Sequence, residues 1–274
     1  MNKTLSLKEL NGRPKLASFT GLGLTSRKDV RVELYAAEPG SGITFYLPWD
    51  GDLVAVPATA DNVVFTLRNV VLGKGRTRLC IVEHFLCATS IYGVDDLDVF
   101  VDGMEMPLGD GSSHFWMDFL EEAGIERKIP QADIALSEPI TIERGDRALL
   151  AIPSDRFSVT YLMDWKHPQI GKCWQTWDVS KDLGFIYDAR TFGMLADSEM
   201  FGLDNDVVSL TDDGFTKPLR SPDEPVRHKL LDLIGDLSLA GVNPLRWKAR
   251  FISIKAGHEM DVEMAKRLME SLPS

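Results

Sequence analysis

Residues 226–237 read VRHKLLDLIGDL, and their spacing predicts a helix that dictates what it must face. His228, Asp232 and Asp236 fall four residues apart, so they stack along one helical face. Leu230, Leu231, Leu233, Ile234 and Leu237 supply the apolar neighbours that bury the same helix. Any fold adopted by this chain must therefore carry an imidazole and two carboxylates inward, where charged groups persist only when paired or bound to a metal.

Around this helix the text gives strands first and helices after, twice. Residues 30–56 and 63–71 alternate apolar and polar side chains between Gly, Pro and Asp, which predicts antiparallel strands. Helical spacing follows from Glu83 to Tyr92, then a strand in LDVFVDG with Gly103 in a turn, a loop in PLGDGSS and a helix in HFWMDFLEEAGI. Past the polar stretch IERKIPQ the order recurs: strands in ALSEPITIERG, ALLAIPS and FSVTYLMDW, the segment ARTFG, then helices in VRHKLLDLIGDLSLAG and GHEMDVEMAKRLMESL. The expectation is an α+β chain of two domains, 1–130 and 131–274, with a site between them.

Composition narrows the function classes. The chain has 274 residues, 44% of them hydrophobic, which is ample for a core. A net charge of −11 with no local basic patch excludes nucleic acid as the expected partner. No run of about 18 apolar residues occurs and MNKTLSLKEL holds no continuous apolar segment, so neither a membrane span nor a signal peptide is expected, and the expected location is cytoplasmic. Cys80, Cys87 and Cys173 are scattered and unpaired in spacing, which argues against disulfides and thiolate metal sites. No apolar stripe points to a protein partner.

Any metal must then be held by histidine and carboxylate. Of five histidines, His84 follows Glu83 directly, His228 precedes Asp232 by one helical turn, and His258 follows Gly257. His84, His228 and Asp232 meet the three-ligand count of a catalytic metal centre with an open position. Glu83 is placed to take a proton from water, His258 to give one to a leaving group, and Asp236 to orient an imidazole. The same spacings also suit an exposed i,i+4 pair and an ordinary loop histidine. His114 and His167, near aromatics in loop-like text, are read as structural.

Seven stretches in order carry a resemblance: TGLGLTSRKDV, LGKGRTRLCIVEHFLCA, YGVDDLDVFVDGMEMPLGDGSS, ARTFG, LDNDVV, PLRSPDEPVRHKLLDLIGDL and IKAGH. Together they resemble the UDP-3-O-acyl-N-acetylglucosamine deacetylase family, the zinc amidases of lipid A synthesis. The resemblance implies two domains, each a β-sheet layered on two helices, with the active site between them. It implies His84, His228 and Asp232 as ligands of zinc (iron accepts the same set), Glu83 as general base, His258 as acid and Asp236 as its partner. It further implies Thr191 as a donor to the oxyanion, Phe192 and Lys229 as contacts to the nucleotide sugar, and Lys255 as a lysine near phosphate. The implied reaction is hydrolysis of the acetamide of a UDP-linked glucosamine, a small-molecule partner.

Departures from that family qualify the substrate. Between Gly193 and Leu203 stand only MLADSEMFG, where the family has a longer apolar insert that forms a passage for the 3-O-acyl chain. Less apolar surface means less stabilisation of a long hydrocarbon, by about 0.8 kcal/mol per methylene; equally, a loop tolerates trimming. Thr25 stands where the family usually has histidine and Pro225 where it has an aromatic. Trp165, Trp174 and Trp177 fit either a core or a sugar-stacking surface, with core the expectation. The alternatives to a lipid A deacetylase are a relative acting on a non-acylated or short-acyl sugar outside that pathway, or a non-catalytic metal- or sugar-binding protein.

Overall fold

The structure is a computed structural model that describes residues 6–272 apart from 201 and 204–206. Its first half runs α1 (Leu7–Asn11), β1 (Lys15–Leu22), β2 (Asp29–Tyr35), β3 (Ile43–Trp49), β4 (Asp52–Pro57), β5 (Val63–Phe65), β6 (Val71–Lys74) and β7 (Thr77–Cys80). It continues with α2 (Glu83–Tyr92), β8 (Leu97–Val101) and α3 (His114–Glu122). The second half runs β9 (Ile134–Ala135), β10 (Ile140–Arg144), β11 (Arg147–Pro153), β12 (Ser158–Asp164), β13 (Lys172–Asp178) and α4 (Gly184–Tyr187). Then come β14 (Phe192–Met194), α5 (Leu195–Met200), β15 (Val208–Leu210), α6 (Glu224–Leu237), β16 (Trp247–Ile254) and α7 (His258–Glu270).

The fold is α+β. One large sheet has the order β1-β2-β8-β3-β4, the other β10-β11-β16-β12-β13 with β9 beside β16. Residues 30–56 pair antiparallel as expected, β3 with β4 and β2 with β1 and β8, yet both sheets are mixed: β3 runs parallel to β8, and β12 parallel to β16. The physical reason is the order of elements, since a strand that returns after a helical crossover enters the sheet in the parallel sense. β8 is buried along its whole length, as a central strand covered on both faces must be.

Helices α2 and α6 lie between the sheets. Every residue of α2 is buried, including Glu83, His84, Thr89 and Ser90, and Thr89 and Ser90 satisfy their hydroxyls on the Leu86 carbonyl at 2.9 and 2.7 Å. Pro225, in the first turn of α6, fits a position where the missing N–H costs nothing. One apolar cluster runs from Val30 and Phe45 through Phe85, Leu231 and Ile234 to Phe251 and Met264, joining both sheets through the paired helices.

Six strands, β1, β7, β13, β14, β15 and β16, go beyond the expected elements. In β16 Trp247, Ala249, Phe251 and Ser253 point inward and alternate with less buried neighbours, so a period of two was present between two helices. The tryptophans divide: Trp177 is buried and donates to the Asp182 carbonyl at 3.2 Å, whereas Trp174 on edge strand β13 is 70% exposed. Core placement therefore holds for Trp177 and fails for Trp174.

The short insert carries α5 between β14 and β15. β14 and β15 pair in parallel across α5, with Phe192 opposite Val208 and Met194 opposite Leu210. Phe201 of the insert and residues 204–206 of LDNDVV lie outside the described residues.

Candidate active site

The site forms where α2 crosses α6. A Cβ on Gly235 would stand 2.1 Å from the carbonyl oxygen of Glu83, so a glycine lets the backbones meet at the first turn of α2. That approach sets Glu83 and His84 against the inward face of α6. His228 Nε2 lies 3.3 Å and His84 Nε2 3.8 Å from Asp232 Oδ1. The donor atoms of these three residues all lie within 4.8 Å of one another, the one such group among the described residues.

The hydrogen bonds around the cluster aim it. His228 Nδ1 faces the Ala189 carbonyl at 3.0 Å, which fixes a proton there and leaves Nε2 as the donor atom for a ligand. Ser113, at the end of PLGDGSS, donates to the His84 carbonyl at 2.8 Å. Gly111 of the same loop has φ 86°, and a Cβ on it would lie 2.8 Å from Thr191 Cγ2, while its carbonyl accepts from the Thr191 amide at 2.6 Å. Gly111, Ser113 and Ala189 therefore hold candidate site residues in place without themselves being candidates in the sequence. The dense Gly-Asp-Gly-Ser-Ser turn chemistry was the signal for Gly111 and Ser113, and Ala189 opens the ARTFG segment.

Electrostatics suit a divalent cation. Burial, reinforced by His228, pushes His84 down to about 3, and burial also lowers His228, so both imidazoles are neutral donors at neutral pH. Burial opposes ionisation of Asp232, but His228 and Lys229 outweigh it and hold the carboxyl well below its usual range. Lys229 donates to Asp232 Oδ2 at 2.7 Å. Two neutral nitrogens and a carboxylate fit zinc by donor type.

Two groups flank the cluster. Burial raises Glu83 to about 8 against the pull of His258, and its Oε2 accepts from the Val70 amide at 3.2 Å. His258 opens α7, and its Nδ1 is 2.7 Å from Asp236 Oδ2. Burial would lower His258, but the Asp236 carboxylate outweighs it and raises the imidazole to about 10. Burial itself raises Asp236, with the His258 contact pulling the other way.

A cavity of about 410 Å³ opens onto Glu83, His84, Thr191, Phe192 and Lys229. Trp165 also lines it, with its ring 5.2 Å from that of Phe192, as do Thr25 and the insert residues Met194, Asp197 and Ser198. Lys255 is set apart: its side chain pairs with Asp146 outside the cavity lining. Its backbone has φ 54°, in the turn that leads into α7. His114 pairs with Asp188 and His167 with the Thr211 carbonyl, both away from the cluster.

Residues 14–270 match the family model for UDP-3-O-acyl N-acetylglycosamine deacetylase. Among curated relatives, the UDP-3-O-acyl-N-acetylglucosamine deacetylase of Nostoc sp. is 36% identical over 269 residues, covering 92% of this chain and 95% of that protein. The protein of that name from Leptospira biflexa serovar Patoc is 38% identical over 270 residues, covering 93% and 88%. The one from Thermosynechococcus vestitus is 31% identical over 265 residues, covering 93% and 92%.

Proposed function

This chain belongs to the UDP-3-O-acyl N-acetylglycosamine deacetylase family and is an amide hydrolase; we propose that it removes acetate from the N-acetyl group of a UDP-linked, 3-O-acylated glucosamine in lipid A synthesis. The observation that carries this reading is the α2–α6 crossing, which joins Glu83 and His84, both lining the cavity, to His228 and Asp232. No helix among the described residues is long and apolar enough to cross a membrane.

The chain's own residues divide the work. Zinc, or iron in its place, would be held by His84, His228 and Asp232 and would supply a Lewis acid that polarises the carbonyl and acidifies water. Glu83, raised toward neutrality, takes the proton of the attacking water as the C–O bond forms. The Thr191 hydroxyl lines the same cavity and donates to the oxygen on which negative charge develops. His258, kept cationic by Asp236, protonates the nitrogen so that the C–N bond breaks to an amine rather than an amide anion. Phe192 and Lys229 contact the sugar nucleotide from the cavity wall. The role for Lys255 is a phosphate contact beyond the cavity rim.

A second reading concerns the acyl group. The insert is a small β-α-β unit whose Met194 and Ser198 close on the cavity, which favours a shorter 3-O-acyl chain. Acetate release by the zinc-loaded protein from UDP-N-acetylglucosamine, with no, a short or a long 3-O-hydroxyacyl chain, tests both readings. Turnover dependent on a long chain supports the lipid A reading and overturns the second. Turnover of the unacylated sugar alone overturns the first.

A further inference from the structure

Among the polar residues of the cavity that the reaction as described does not use, Asn69 is the one with a buried side-chain atom that lacks a hydrogen-bond partner among the described residues. It lines the same space as Glu83, His84 and Thr191, and its Oδ1 is buried with no hydrogen-bond partner among the described residues. Buried acceptors are nearly always satisfied, so an unmet one in a substrate cavity points to a donor on the ligand.

The backbone on both sides of Asn69 is fixed. Arg68 sits at φ 72°, a conformation few non-glycine residues adopt, and its guanidinium lies 3.1 Å from Asp197 of α5. On the other side the Val70 amide donates to Glu83 Oε2 at 3.2 Å, and the Val70 carbonyl accepts from the Ile81 amide at 3.1 Å. The carboxamide is thus held one residue from the contact that positions the proposed base.

The scissile group has one acceptor, its carbonyl oxygen, and one donor, its N–H. Thr191 and Lys229 present donors to the cavity, which suit the carbonyl side. We propose that Asn69 is a substrate-binding residue whose carboxamide oxygen accepts the N–H of the scissile acetamide. This rests on the amide-hydrolase reading of the site. With the N–H held by Asn69, the nitrogen lone pair that emerges as the carbonyl is attacked is left free for the proton from His258.

The test compares the acetamido sugar with its isosteric ester, in which the 2-acetamido N–H is replaced by oxygen. The amide-to-ester ratio of kcat/KM is measured for the zinc-loaded parent, Asn69→Ala and Asn69→Asp, with thermal melts to establish folding. The ratio cancels intrinsic reactivity and any general loss of structure. The expected result is a fall of about tenfold to a hundredfold in Asn69→Ala, the scale of one hydrogen bond left unmet, and a ratio within a few-fold of the parent in Asn69→Asp, which keeps an acceptor oxygen. An unchanged ratio in Asn69→Ala, with both substrates slowed alike, overturns the assignment while the deacetylase reading stands. A parent that releases acetate from neither compound overturns the deacetylase reading, and the assignment of Asn69 falls with it.

Discussion

Gly235 on α6 and Glu83 on α2 meet backbone to backbone: a Cβ at residue 235 would stand 2.1 Å from the Glu83 carbonyl oxygen and 2.8 Å from its carbon. Glycine inside a helix normally costs about 1 kcal/mol relative to alanine, so Gly235→Ala taken alone would stabilise α6. The clash is with backbone that no rotamer change can move, and separating the helices draws Glu83 and His84 from His228 and Asp232. The expected outcome is the opposite sign, a loss of about 1–3 kcal/mol or more, together with weakened metal binding and activity. Urea unfolding and a zinc titration of the variant check both.

Glu83 and Asp232 separate binding from chemistry. Glu83→Gln leaves the cluster of His84, His228 and Asp232 intact, so the variant should hold metal as the parent does while turnover falls by about 10²–10⁴-fold, the usual scale for a general base. Asp232→Ala removes a ligand and leaves Lys229 without its 2.7 Å partner, so metal and activity should both go. Metal content by atomic absorption beside acetate release distinguishes the two. Equal activity in Glu83→Gln and the parent would remove Glu83 from the base role.

The Asp236–His258 pair sets an alkaline limit. As the proposed acid, His258 would work as the imidazolium, so activity should persist below its pKa and fade as the pH rises through it, at about 10 in the folded protein. Asp236→Asn removes the carboxylate that holds the charge and leaves burial, which lowers the value. The alkaline limb of kcat/KM should then move to lower pH. A limb that stays in place would show that another group governs it.

Metal removal should destabilise the fold. With ligands from α2 and α6, an ion bound only by the folded chain adds about 2.7 kcal/mol at a concentration a hundred times its dissociation constant. His84 and His228 compete for protons as well as metal, and both are lowered, so the ligands stay available to mildly acidic pH. Melts with and without chelator should show a higher Tm with zinc, and the gap should close in Asp232→Ala.

Much of this was legible because the chemistry follows local spacing. Glu83–Tyr92 reads as a helix and forms one, and the four-residue rhythm of His228, Asp232 and Asp236 became one buried face. What depends on the crossing was not legible. Gly235 looks like a weak point of a helix until α2 lies against it, and no periodicity marks Ala189 as the residue whose carbonyl orients His228. The parallel pairings of β3 with β8 and β12 with β16 likewise depend on chain order over tens of residues, where the alternation of a single strand is silent. Trp174 was misjudged because size argues for a core while an edge strand leaves a face open.

Glu224 anchors the start of α6 and gives the fold an acid limit independent of the metal. Its carboxylate accepts from Arg190 Nε at 2.8 Å, the Arg190 amide at 3.0 Å and the Arg220 amide at 2.6 Å. Burial raises the carboxyl, but the Arg190 contacts outweigh it and the folded value is depressed. A group depressed on folding stabilises above its unfolded value, about 4.3, and that stabilisation fades as the pH falls through the lower folded value. Urea midpoints should therefore drop on acidification in the parent and drop less in Glu224→Gln, which has no charge to lose. Arg190→Ala strands the carboxylate, and breaking a buried pair from one side costs about 3–5 kcal/mol; Arg190→Ala should therefore be the more damaging of the two changes at neutral pH. The order would reverse only if Glu224 took its stability from the backbone amides alone.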